Sequence, residues 1–178
     1  MSSVVPIRAN ERPSIADQLL VELDCAQKRF TESIADLADV TSTSSPDQIE
    51  YLCARVHISQ AILARSSIFD MVCEFLRGRV TPCQWEVVTE LRVADSNVLM
   101  QSAQHVAEWT NERAESDRAA YCLESKNIRV MMGNVIERER AILYPLLESV
   151  TLATSIAAAR YWNGLPITTG GGESCPMK

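Results

Sequence analysis

Glycine is scarce in this chain: six among 178 residues, and only Gly78 and Gly133 between Ser14 and Asn163. The same span holds three prolines, Pro46, Pro82 and Pro145. Strands reverse direction at turns built largely from these residue types, so a sheet has few places to fold back. No stretch alternates strictly between apolar and polar residues, and no internal repeat is present. Histidine occurs only at His57 and His105, which leaves little material for imidazole chemistry.

Other absences remove whole classes of function. There is no GxGxxG or GxxxxGK loop to cradle a nucleotide phosphate and no GxSxG elbow for a serine hydrolase. No run of five basic residues exists, and the net charge is −6 with a pI near 5.0, which argues against nucleic acid or an anionic membrane surface as partner. The six cysteines, Cys25, Cys53, Cys73, Cys83, Cys122 and Cys175, form no CxxC pair. They are expected to be reduced thiols packed as small hydrophobes. No charged-then-apolar segment opens the chain, so the expected location is cytoplasmic. The most apolar run, residues 141–159, is interrupted by Pro145, Glu148 and four hydroxyl residues and makes a poor membrane span.

What is present is helical patterning. Ser14 with Asp17 starts a first helix whose stripe is Ile15, Leu19, Leu23, Ala26, Phe30, Ile34 and Leu37, ending near Asp39 or Val40. Ser45-Pro46-Asp47-Gln48 starts a second, with Ile49, Leu52, Val56, Leu63, Ile68, Met71 and Phe75 as its apolar positions and Gly78 as its stop. Thr81-Pro82-Cys83-Gln84 starts a third, where Val88, Leu91, Val98 and Trp109 alternate with Asp95, Ser102 and His105. No strong stop follows, and the third helix is expected to bend or end anywhere from Asn111 to Glu124. The fourth spans Asn127 to Leu147 and continues towards Tyr161, with a kink or break at Pro145. Its stripe is Ile128, Met132, Val135, Ile142 and Leu146, and Glu139 occupies the slot between Val135 and Ile142. Four long helices with short links predict an all-α fold, an up-down-up-down four-helix bundle over residues 14–163, with a flexible arm at 1–13 and a flexible tail at 164–178. The 47% apolar content suffices for one core.

The run from Val135 to Leu147, VIERERAILYPLL, is similar to the last helix of the hemerythrin-like (HHE cation-binding) family. There a histidine, a glutamate four residues later and a Leu-[Tyr/Phe]-Pro segment close a di-iron four-helix bundle. The resemblance covers roughly residues 14–147, mostly as helix number, order and spacing. It implies a ligand set here of Glu139, Asp95, His105, Glu74 and Asp70, with Asp24 at the first-helix position. This chain departs from the pattern: Val135 stands in the last-helix histidine slot, Asp70 in that of the second helix, and no ExxH step occurs.

Two outcomes follow for the retained carboxylates. Either they converge on iron or manganese, making a bundle that responds to O2, NO or peroxide, or they are half-exposed or paired with Arg92, Arg138, Arg140 or Lys126. An unpaired, unmetalled Glu139 deep inside is disfavoured, because a lone buried carboxylate costs several kcal/mol. His57 offers a third function, as the phosphoacceptor of a histidine phosphotransfer module, although Ile58, Ser59 and Gln60 after it would not neutralise phosphate. The favoured expectation is a non-catalytic regulatory or protein-interaction bundle with no cofactor, acting on a protein partner or as a homodimer. Trp85, Trp109 and Trp162 are read as core or interface anchors.

Overall fold

Helix starts are where local chemistry is most explicit. Ser14 Oγ accepts from Asp17 N at 3.1 Å while Asp17 Oδ2 accepts from Ser14 N at 3.0 Å, a complete capping box. Thr81 and Gln84 repeat it at 3.3 and 2.9 Å, with Pro82 in the first turn, where its missing donor costs nothing. These caps open α1 (Ile15–Ser42) and α3 (Pro82–Glu108). Between them lies α2 (Gln48–Leu76), followed after α3 by the short α4 (Asn111–Ser116) and the long α5 (Arg118–Trp162). The computed structural model describes residues 13–43 and 47–162, with side chains as far as residue 156. No strand occurs among them, and the fold is all-α. The arm and the tail fall outside the described residues, apart from Pro13. No helix among the described residues is long and apolar enough to cross a membrane.

α1 lies against α2 and α5, and α3 lies against α5. Ser14 meets Thr151, Gln27 meets Glu139 and Arg118 reaches the Thr43 carbonyl, so α1 and α5 run antiparallel. The same order holds between α2 and α3, through Arg55 with the Val106 carbonyl, Arg65 with Asp95 and Asp70 with Arg92. The backbones of that last pair stay apart, and side chains cross the gap.

Two apolar clusters fill the interior. One gathers Leu19, Leu23, Phe69, Val72, Leu76, Val88, Leu91, Leu143 and Leu147; the other gathers Phe30, Leu37, Ile58, Val98, Met132, Val135 and Ile136. In each long helix one polar residue falls between them: Gln27 after Leu23, Arg65 before Phe69, Asp95 after Leu91 and Glu139 before Leu143. A third, smaller cluster of Trp109, Ala114 and Tyr121 closes the end beyond Ile58.

Four expectations are corrected. Most of the expected α2 stripe faces outward: Ile49, Leu52, Val56, Leu63 and Met71 are exposed, only Ile68 and Phe75 of it pack against the first cluster, and Ala54, Ile58, Arg65, Phe69, Val72, Cys73 and Leu76 are buried. Asp47 caps α2, accepting from Ile49 N at 2.6 Å, so the helix opens at Gln48 and later than expected; Ser45 and Pro46 lie outside the described residues. Of the kink or break expected at Pro145, the break does not occur: α5 stays helical on both sides, with Leu143, Leu146 and Leu147 anchored in the core. Only Cys73 is a fully buried thiol, whereas Cys25, Cys53 and Cys83 are exposed, Cys122 is half-buried and Cys175 lies outside the described residues. In addition, α3 stops at Glu108 and α4 intervenes, capped by Thr110, whose hydroxyl accepts from Arg113 N. Gly78 does take the left-handed conformation, at φ +73°, just past the end of α2.

Candidate functional site

The polar layer between the two apolar clusters is built one residue per helix. Arg65 from α2 donates through one terminal nitrogen to Glu139 Oε1 on α5 and through the other to Asp95 Oδ1 on α3. Gln27 from α1 donates to the second Glu139 oxygen at 2.8 Å. The rings of Phe30 and Phe69 approach the guanidinium carbon with centroids at 5.4 and 5.9 Å, so its faces are covered as well as its edges. Side-chain exposure is 3% for Arg65, 6% for Asp95 and none for Glu139. The Arg65 Nε has no partner among the described residues.

The layer continues outward. Gln27 Oε1 accepts from Arg140 Nε at 3.0 Å and lies 2.9 Å from the Tyr144 hydroxyl, which is also 3.0 Å from Asp24. Burial and the hydrogen bond to Asp24 push the Tyr144 phenol up to about 12, so it serves as a donor.

Two carboxylates share one cation here. Burial pulls the Arg65 guanidinium towards the neutral form, but Glu139 and Asp95 more than offset it and hold it above its ordinary value. Burial raises Glu139 against the opposing pull of Arg65 and Gln27, and Asp95 adds to the rise.

The sequence-derived ligand set separates in space. Asp95 and Glu139 share the layer, but Asp70 faces outward to Arg92 at 3.3 Å and Glu74 to Arg77 at 3.0 Å, all four side chains largely exposed. Asp24 is exposed beside Tyr144 and Arg140. Val135, in the family's histidine slot, is 6% exposed within the apolar core. Among the described residues no three of histidine, cysteine, aspartate and glutamate are grouped to hold a metal ion. The residues present therefore do not fit a dinuclear iron or manganese centre: the two converging carboxylates are bridged by a cation belonging to the chain itself.

His105 belongs to the third cluster. Its ring stacks on Tyr121 at 5.5 Å and 15°, and its Nδ1 lies 3.8 Å from Glu124 Oε2, which accepts the Trp109 indole proton at 2.6 Å. Its Nε2 is buried without a partner among the described residues. Burial lowers the imidazole below its usual 6.5, with Arg55 and Arg129 acting in the same direction and Glu124 and Glu108 opposing.

His57 is exposed on α2, in a groove between α1 and α2 rimmed by Glu22, Glu32 and Asp36 with Arg29 the one cation. Carboxylates outnumber cations there, the reverse of what a phosphoryl group requires. Burial pushes the Cys73 thiol up to about 12, which removes it as a nucleophile at neutral pH.

Sequence reasoning missed Arg65 and Gln27, the two residues that complete the layer. A signal for Arg65 existed: Ala54, Ile58, Ala61, Arg65, Phe69, Val72 and Leu76 form a second ladder of three- and four-residue steps on α2. No protein-family model, no curated protein and no solved structure matches the chain.

Proposed function

We propose that this chain is a non-catalytic, hemerythrin-like up-down-up-down four-helix bundle that acts through its surface as a regulatory or protein-interaction module in the cytoplasm. The observation that carries the reading is the position of Arg65. A guanidinium lies between Glu139 and Asp95, so the interior acids have their cation and are not poised for catalysis or ligation. The antiparallel pairings of α1 with α5 and of α2 with α3 support the topology. Support for a surface role comes from α2, where Leu52, Val56 and Leu63 remain exposed and, with Val106 of α3, line an open groove of about 530 Å3.

Elemental analysis of protein purified without a nickel column tests the reading. The expected result is less than stoichiometric iron and manganese, and no change in thermal midpoint when either metal is added. Stoichiometric metal that disappears in Glu139→Ala overturns it.

A further inference from the structure

A small, partly open cavity of about 40 Å3 lies between the second apolar cluster and the Trp109 end, lined among others by Arg55, Ser102, His105, Tyr121, Ser125 and Arg129. It exceeds the roughly 10–15 Å3 that one water requires and is far below the several hundred Å3 of an ordinary small-molecule pocket. Only a particle of one to a few atoms fits.

Two arginines line it without a carboxylate partner, the nearest acid to its wall being Glu124, 3.8 Å from His105 Nδ1. Arg129 is half-buried, and its guanidinium reaches only hydroxyls, Ser125 Oγ at 2.8 Å and Thr41 Oγ1 at 3.4 Å. Arg55 is directed to neutral oxygens as well, at Asn111 (3.0 Å), the Val106 carbonyl (3.4 Å) and the Tyr51 hydroxyl (3.5 Å). Among the described residues no carboxylate lies within 4 Å of either cation. This is unusual in a chain of net charge −6, whose fully buried arginine, Arg65, has two carboxylate partners. Burying a guanidinium without a counterion is costly, and burial lowers Arg129 from its ordinary value.

Ser125 and His105 line the same cavity and bring further polar atoms to it. Ser125 accepts from Arg129, and its own hydroxyl proton finds no acceptor among the described residues. Within His105, which lines this cavity, Nε2 is buried and has no partner among the described residues, while Nδ1 stands beyond hydrogen-bonding distance of Glu124, so the ring proton is free to sit on Nε2.

We propose that this cavity is a binding site for one small monovalent inorganic anion of about halide size, held by the Arg129 guanidinium, the Ser125 hydroxyl and His105 Nε2–H. The anion supplies the charge that Arg129 lacks and the acceptor that the two donors lack. Arg55, at the Val106 side, adds long-range attraction without direct ligation.

Bromide is the probe, applied to the full chain. Crystals grown in sodium bromide are expected to show an anomalous peak inside the cavity, within hydrogen-bonding reach of Arg129. In solution, chloride NMR line broadening is expected to saturate, and Arg129→Met to weaken the affinity at least about ten-fold, the loss of one charge-assisted hydrogen bond. Ser102→Val serves if Arg129→Met does not fold: it fills the cavity, leaves both arginines in place and is expected to abolish the saturable broadening. Bromide found only on the surface, a cavity holding water alone, or broadening unchanged in either folded variant overturns the proposal.

Discussion

Arg65 on α2 and Glu139 on α5 form an ion pair from which solvent is excluded, with side-chain exposures of 3% and zero. Such a pair gains little over well-packed apolar residues, yet losing one member leaves a bare charge in the core. Arg65→Met is expected to destabilise the protein by about 3–5 kcal/mol in urea unfolding, because Glu139 and Asp95 then face each other unscreened. The triple variant Arg65→Met, Asp95→Leu, Glu139→Met is expected to recover that loss. A single variant costing less than about 1 kcal/mol would show that water or local opening relieves the charge.

The two ladders on α2 differ in what they hold together. Ile58 is 8% exposed in the second cluster, and Ile58→Ala is expected to cost about 2–5 kcal/mol. Leu63 is 72% exposed, and Leu63→Ser is expected to shift stability by no more than about 0.5 kcal/mol. Chemical denaturation of both variants checks the assignment of faces.

Pro145 sits exposed inside a continuous helix and cannot donate to the carbonyl of Ala141. Pro145→Ala restores that donor and is expected to stabilise the protein by about 1–3 kcal/mol, read as a higher thermal midpoint. A lower midpoint would mean that the apolar side chains around it pack only with the proline present.

His105 has a folded value below its ordinary 6.5, so the unfolded chain takes up the proton first as pH falls. Its contribution is fully present above pH 6.5 and is lost as pH drops through the folded value. Glu139 has the opposite sign: its folded value is raised, so its contribution declines as pH rises above about 4.5. In halide-free buffer, His105→Gln is expected to remove the first slope and leave the second, measured as urea midpoints at intervals from pH 5 to pH 7.5.

Much of the helical frame was legible because caps and periodicity are local. Ser14 with Asp17 and Thr81 with Gln84 satisfy backbone donors within three residues, and the Val88, Leu91, Asp95, Val98, Ser102 thread was read on its correct face. On α2 the more hydrophobic of two ladders was the exposed one. Burial there is decided by which face α1 and α5 cover, a tertiary fact that hydropathy along one helix does not contain. The candidate site divides the same way. Glu139 and Asp95 stood out as acids inside apolar stripes, whereas Gln27 and Arg65 became visible only when four helices were brought to one level.

The seams between the helices are unequal. α1 and α2 are joined by a short link and share the most extensive backbone contact, while α2 meets α3 only across extended side chains. Both links are equally short, so loop closure does not separate the two seams; what separates them is that the α2/α3 side depends on Arg65 and on Glu139 of α5. Amide hydrogens beside that side-chain seam are expected to exchange sooner than those between α1 and α2.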